Sequence, residues 1–379
     1  NPTADIPDMV KHFTPLANDS VLTTAHSDYT LPSAPTISVQ PDPMLDINEP
    51  TDDVAREISL LNCNATMQHI PDGAPDALHH TRADKLTDAL GMKKRIRVGT
   101  HSRIFTSADR KRLISLKRGF AKFFDVTTWN NDLFNPELMD KCNTEKLASW
   151  AAKRTKKVAQ HSIDKQNLDA AYNFVKLFPK GQYIKKKAKW RSHAFPSQTV
   201  SDFHLGRIWR DSPYALYLET QILKYAFPST YLHCRASPDD VSRWYRSHWR
   251  AGIMTGNDYT AWDSGVDHVF IEFDCWLMSL CHFPSEYIDR FREDRYTTHS
   301  HLGNHMPRQE SGDRWTWLLN TARNAALTGA SLDCPIRTPI CVSGDDSCVL
   351  GAWRRPSNFY PNQWLMSPKR EEGTSLEFC

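Results

Sequence analysis

Three clusters of acidic and small polar residues carry the chemistry of this sequence. Asp258 and Asp263 stand five apart in GNDYTAWDSG; Ser311-Gly312 precede Thr316, Asn320, Thr321 and Asn324; Ser343-Gly344-Asp345-Asp346 lies between two short apolar runs. Taken singly, each has a plain reading: a solvated turn for either acidic cluster, an exposed helix face for the polar stripe. Two adjacent carboxylates repel each other unless a cation neutralises them, so the Asp345-Asp346 pair is a candidate metal site. Independent accidents would rarely fall in the order DxxxxD, SGxxxTxxxNT, GDD, and the joint occurrence is therefore the signal. Nucleotidyl transfer asks for such a set. One ion lowers the pKa of a 3′-hydroxyl and a second holds the triphosphate and leaving pyrophosphate, roughly 4 Å away. Asp258, Asp345 and Asp346 are the expected ligands, and oxygen ligands favour two Mg²⁺ or Mn²⁺ ions.

The elements around these residues suit that task. A strand is expected before Asp258, placing it at a strand end, with a helix after it. Ser264 and Asp267 have the spacing of a capping box, and Val266, Phe270, Phe273, Leu277 and Leu280 recur at helical intervals. Thr316, Asn320 and Asn324 share one face of a helix that also holds Leu318, Leu319, Ala322 and Ala325. Ile340-Cys341-Val342 and Cys348-Val349-Leu350 read as a hairpin closed by the acidic turn.

The rest of the chain sets bounds. Residues 1 to 91 hold 14 acidic and 4 basic residues, against 30 and 43 in the remainder, so a first part of about −10 precedes a body of about +13. A basic body points to a polyanion partner. Ten of the 23 prolines fall within residues 1 to 75, which suggests an extended arm. The folded body is expected to open near the basic run Lys93, Lys94, Arg95 and Arg97, followed by a helix carrying Leu113, Leu116, Phe120 and Phe123. The nine cysteines form no CxxC pair, which argues against a disulfide framework or zinc ribbon and fits a reducing compartment. No apolar run is long enough for a membrane span, and no GxxxxGK[ST], GxSxG or HExxH is present. His299, His301 and His305 form an HxHxxxH cluster without a Cys or carboxylate at a familiar zinc spacing, so a surface strand or loop is expected there. Trp315 and Trp317 are assigned to the core rather than to base stacking.

These motifs resemble those of the RNA-dependent RNA polymerases of the tymovirus and flexivirus group, fungal relatives included. The resemblance runs from about His79 to Cys379: DYTAWD, SGxxxTxxxNT and SGDD resemble polymerase motifs A, B and C. Upstream, HHTRAD at 79–84, MKKRIR at 92–97, Phe174-Val175-Lys176, Gln182, Ser197-Gln198-Thr199, Pro213-Tyr214, Tyr217 and Glu219 are similar too. The resemblance implies an α+β right-hand polymerase: fingers from residues 92–250, and an antiparallel palm sheet with packed helices from 251–379. Asp263, Thr316 and Asn320 would recognise the ribose 2′-hydroxyl, Ser311 and Gly312 would form a mobile loop, and Lys369 would stand near the pyrophosphate as a general acid. The lysine usual three residues before the Gln-Thr pair is Phe195 here. The contact to the triphosphate then falls to the basic residues Lys185, Lys186, Lys187, Lys189 and Arg191, with Arg207 and Arg210 downstream.

Leu376-Glu377-Phe378-Cys379 resembles the start of the primer grip, so the thumb is expected to be largely missing and the chain to be a piece of a replicase polyprotein with capping and helicase domains. Implied partners are template and nascent RNA, NTPs and those domains; the implied location is the host cytoplasm, in membrane-associated replication complexes. The rival readings are another template-directed polymerase, such as a reverse transcriptase, and an inactive RNA-binding or scaffold protein.

Overall fold

A computed structural model describes residues 91–99, 104–149, 172–180, 198–234, 236–248, 253–260 and 262–373. The acidic arm, HHTRAD, Gln182, the lysine run at 185–189, Arg191 and the closing Leu376 to Cys379 lie outside these residues. By contacts the chain divides into two units: residues 1–97, 176–201 and 301–303 form one, and 98–175, 202–300 and 304–379 form the other. Within the first, residues 91–95 are helical, and strand β1 (Lys176–Pro179) pairs with β2 (Thr199–Asp202), whose last residue belongs to the second unit.

The second unit is built from helices α1 (Ser107–Phe120), α2 (Val126–Asn131) and α3 (Leu205–Tyr225), strand β3 (Thr230–Leu232), and α4 (Pro238–His248). Then come β4 (Met254–Thr260), the single-turn α5 (Trp262–Gly265), α6 (His268–Leu280), α7 (Ser285–Thr297) and α8 (Thr316–Ser331). Strands β5 (His299–Ser300) and β6 (Gly303–Asn304), whose Gly303 belongs to the first unit, form a short ribbon ahead of α8, and β7 (Ile340–Ser343), β8 (Asp346–Leu350) and β9 (Ser367–Gly373) follow.

Five strands make one sheet in the order β3-β7-β8-β4-β9. The expected antiparallel sheet holds for β7, β8, β4 and β9. At the edge, however, β3 runs parallel to β7, with Thr230 opposite Ile340, so the sheet is mixed. A parallel neighbour needs a long crossover rather than a hairpin, and over a hundred residues separate these two strands, a pairing that local pattern does not reveal.

Helix α1 starts where its sequence says it should. Thr106 Oγ1 accepts from the Asp109 N–H at 3.2 Å, and the Asp109 carboxylate accepts from the Thr106 N–H at 3.0 Å, a complete capping box. Its apolar stripe lands as read: Leu116, Phe120 and, just past the helix, Phe123 are fully buried, with Leu113 packed beside them. At α6 the cap differs from expectation. Asp267 itself is the N-cap, accepting from the Val269 N–H at 3.1 Å, while Ser264 belongs to α5, so no Ser264 box forms. Arg112 from α1 donates to the same Asp267 carboxylate at 2.6 Å, tying the two helices together.

Helices α1 and α8 cross at two glycines. A Cβ on Gly329 would stand 2.2 Å from the Gly119 carbonyl oxygen, and one on Gly119 would stand 2.1 Å from that of Ala326. Helix α8 therefore lies pressed between α1 and the sheet, with thirteen of its residues buried. One hydrophobic core joins α1, α3, α6, α8 and the sheet, so residues on both sides of position 250 share it.

Candidate active site

The acidic hairpin forms as read from sequence. Ser343 pairs with Asp346, leaving Gly344 and Asp345 as a two-residue turn, and Gly344 takes φ +57°, a conformation that favours glycine at such turns. Asp345 is exposed at the tip and Asp346 half-buried beside it. Helix α8 holds the turn from behind. The Gly344 N–H donates to Thr321 Oγ1 at 2.9 Å, and Asn324 Nδ2 donates to the Gly344 carbonyl at 3.2 Å. Thr328 Oγ1 in turn bonds Asn324 Oδ1 at 3.1 Å and Ser347 Oγ at 3.2 Å. A rigid helix thus fixes the backbone that presents the two aspartates.

Asp258 lies inside β4, two residues before its end, rather than at the strand end itself. Asn257 is opposite Ser347 of β8; one further step of that register brings the Asp258 backbone across from Asp346. On the other side of β4, Asp258 is paired with Lys369 of β9, whose side chain is exposed. Sheet pairing therefore brings three sequence-predicted residues, spread over positions 258 to 369, to neighbouring backbone positions: Asp258, Asp346 and Lys369.

Asp263 sits in α5, and Asn320 Nδ2 donates to its Oδ1 at 3.0 Å. Burial pushes the Asp263 carboxyl up, and the nearby Asp345 charge adds to this, while the Asn320 bond and the Arg308 and Arg323 charges oppose it; the net direction is up. Carboxylate oxygens such as those of Asp345 and Asp346 are the donors a hard divalent ion takes, and among the described residues no group of three such side chains is placed to hold one.

The polar stripe on α8 is not an exposed face: Asn320 is 5 % and Asn324 0 % exposed. It belongs to a buried network that sequence reasoning missed. Arg323 and Asp274, both fully buried, form a two-pronged ion pair, with Arg323 Nε 3.0 Å from Asp274 Oδ1 and Nη2 on Oδ2. Arg323 Nη1 also donates to Gln309 Oε1 at 2.7 Å and to Asn320 Oδ1 at 3.2 Å. Gln309 Nε2 donates to Thr316 Oγ1 at 3.1 Å, and its backbone N–H donates to the Asp263 carbonyl at 2.9 Å. One signal was available: Asp274 stands four residues after Phe270 and three before Leu277, on the apolar face of its helix, and a charge on an apolar face needs a buried partner.

Ser311 and Gly312 form a turn before α8, Gly312 at φ +105°. Asp313 beyond them is held by a buried ion pair with Arg295 of α7, and its carbonyl accepts from the Thr316 N–H at 3.1 Å. Of the histidines, His305 is buried rather than on the surface, its Nδ1 2.6 Å from Glu310 Oε1 and its Nε2 2.9 Å from Ser300 Oγ. Both ring nitrogens are thus committed to structure. Arg207 and Arg210, expected to face a triphosphate, are also engaged internally. Arg207 bonds Asn173 and Thr298, and Arg210 bonds Asp211 and Asp294. Lys189 and Arg191 lie outside the described residues. Trp315 is fully buried, as expected of a core residue.

An α+β chain whose sheet carries an acidic two-residue turn, backed by a helix of buried amides, has the make-up of a nucleic acid polymerase core. Comparison with known proteins gives the family. A family model described as RNA dependent RNA polymerase matches residues 75–362, and the chain belongs to that family. It is 28% identical over 277 residues to the RNA replication protein of Botrytis virus F. It is 31% identical over 193 residues to the RNA replication polyprotein of Citrus leaf blotch virus, and 25% identical over 274 residues to the RNA-directed RNA polymerase of Apple chlorotic leaf spot virus. These matches cover 72%, 51% and 72% of this chain but only 14%, 10% and 14% of the relatives.

Proposed function

We propose that this chain is the catalytic domain of a positive-strand RNA virus replicase and extends an RNA strand on an RNA template. The observation that carries the reading is the acidic Gly344-Asp345 turn, bonded through its backbone to α8 and set beside Asp258 by the β4–β8 register. Asp258, Asp345 and Asp346 would hold two Mg²⁺ or Mn²⁺ ions, which when bound lower the pKa of the primer 3′-hydroxyl and hold the triphosphate and leaving pyrophosphate. Asp263, Thr316 and Asn320 recognise the ribose 2′-hydroxyl, an assignment supported by the Asn320–Asp263 bond. Lys369, beside Asp258 in the sheet, serves as the proton donor toward pyrophosphate. Lys189 and Arg191 supply charge to the triphosphate.

In this reading residues 92–250 act mainly as fingers and 251–379 as the palm of a right hand, with residues 1–91 as a linking arm. RNA template, nascent strand and NTPs are the substrates. Relatives named as RNA replication polyproteins support further replicase domains as partners; in this reading those are capping and helicase domains, and replication takes place in membrane-associated complexes of the host cytoplasm. Among the described residues no helix is long and apolar enough to cross a membrane.

The deciding experiment is NTP incorporation on a primed RNA template with Mg²⁺ or Mn²⁺, comparing the chain with Asp345→Ala. Metal-dependent incorporation that Asp345→Ala abolishes supports the reading. A preference for dNTPs indicates a reverse transcriptase, and RNA binding without synthesis under either metal indicates a scaffold.

A further inference from the structure

We propose that Gln309 and Arg323 are positioning residues for ribose discrimination: together they fix which way the Asn320 amide points, and so create the donor that a 2′-hydroxyl needs. The proposal rests on the reading of Asp263 and Asn320 as the ribose contact.

A guanidinium has only donors. Any amide bonded to Arg323 must therefore present its oxygen to it and turn its NH₂ the other way. Two amides meet that condition at once. Asn320 Oδ1 lies 3.2 Å from Arg323 Nη1, and its Nδ2 consequently faces Asp263 Oδ1 at 3.0 Å. Gln309 Oε1 lies 2.7 Å from the same Nη1, and its Nε2 consequently faces Thr316 Oγ1 at 3.1 Å. Thr316 Oγ1 then has its proton left for the Glu310 or Asp313 carbonyl, both at 2.9 Å. Arg323 is itself held by Asp274, so the direction of every bond is set by one buried ion pair.

A ribose 2′-hydroxyl both donates and accepts. Asp263 offers an acceptor and Asn320 a donor, the complementary pair, while a 2′-deoxyribose leaves both without that partner. If Asn320 were to flip, its oxygen would oppose the Asp263 carboxylate and the donor would vanish. The discrimination of a site built to bond a hydroxyl depends on such placed groups rather than on volume. Gln309 completes the acceptor set around Arg323 Nη1; without it one buried Nη1 hydrogen lacks a partner, and the guanidinium shifts about its Asp274 anchor to regain one, drawing Nη1 off Asn320 Oδ1.

The test compares the parent chain with Gln309→Met, Gln309→Glu and Asn320→Ala. For each, equilibrium binding of ATP and 2′-deoxy-ATP is measured alongside single-nucleotide incorporation of both on a primed RNA. Gln309→Met should lower the ATP to 2′-deoxy-ATP ratio of kcat/KM about tenfold through ATP alone, with 2′-deoxy-ATP unchanged, the size expected for losing one oriented hydrogen bond. Gln309→Glu keeps an acceptor for Arg323 and should restore most of the ratio. Should Gln309→Met unfold below the assay temperature, Gln309→Asn, which withdraws the same groups by one methylene, reads the same ratio. Equal losses for both nucleotides, or a Gln309→Glu as impaired as Gln309→Met, would overturn the positioning role. An unchanged ratio in Asn320→Ala would instead overturn the ribose reading itself, as would a parent chain that does not prefer ATP.

Discussion

Asn324 Nδ2 donates to the Gly344 carbonyl oxygen at 3.2 Å, so a residue in the middle of α8 holds the tip of the acidic hairpin. Thr321, one turn earlier on the same helix, takes the Gly344 N–H at 2.9 Å. Between them they satisfy both backbone groups of the residue that precedes Asp345. Catalytic carboxylates misplaced by about an ångström cost roughly a hundredfold in rate. Thr321→Val, which keeps the shape and removes the hydroxyl, should lower kcat about 10- to 100-fold with little change in KM, a split that steady-state incorporation kinetics would read. An unaltered kcat would show that the turn holds its geometry without the helix.

Gly329→Ala offers a contest between two effects of opposite sign. Alanine is favoured over glycine in a helix interior by about 1 kcal/mol. Here, however, the new methyl would lie 2.2 Å from the Gly119 carbonyl oxygen, a backbone atom that cannot turn aside. Overpacking costs about 1–3 kcal/mol and often more when backbone must move. The clash should win: Gly329→Ala, and likewise Gly119→Ala, should melt below the parent, and a variant melting above it would mean that the helices separate freely.

How far the sequence foretold this molecule depends on whether the controlling interactions are local. The Gly344-Asp345 turn and the buried stripe Leu116, Phe120 and Phe123 each follow from neighbours within a few positions, and each stands as read. The Ser264 box expected before α6 does not form: the Asp267 carboxylate is taken by the Val269 N–H and by Arg112, 155 residues away in the chain. The polar face of α8 looked exposed because Thr, Asn and Arg usually are; its burial follows from Asp274 and Gly119, which come from α6 and α1. Parallel pairing of β3 with β7 likewise has no local mark.

Asp109 gives the fold a dependence on acid. Burial pushes its carboxyl up, but bonds from the Thr106 hydroxyl and N–H, with His268 alongside, outweigh this and hold it at about 2, against an ordinary 3.8. A depressed carboxyl stabilises the folded state above its unfolded pKa, and the contribution is lost as pH falls from 3.8 through about 2. Its size is about 2 kcal/mol. Asp109→Asn should therefore melt below the parent at pH 6, and the gap should narrow steadily toward pH 2.5 in a series of thermal melts. A gap independent of pH would assign the loss to capping geometry alone.

Asp263 carries the opposite sign. Its carboxyl is raised, first by burial and further by the Asp345 charge, against the Asn320 bond and the Arg308 and Arg323 charges. The folded state thus favours the protonated acid: relative to a neutral residue, the aspartate is tolerated fully below 3.8, and its penalty grows as pH rises through the folded pKa. At neutral pH the charge is held at a cost to stability, the trade expected where a buried acid serves a site rather than the fold. Asp263→Asn keeps an oxygen for the Asn320 amide and removes the charge. It should melt higher than the parent at pH 7, with the difference shrinking on acidification, and should lose preference for NTP over dNTP in the incorporation assay. A variant that melts lower at pH 7 would mean that Asn320, Arg308 and Arg323 more than compensate the buried charge, and the raised carboxyl would have to be abandoned.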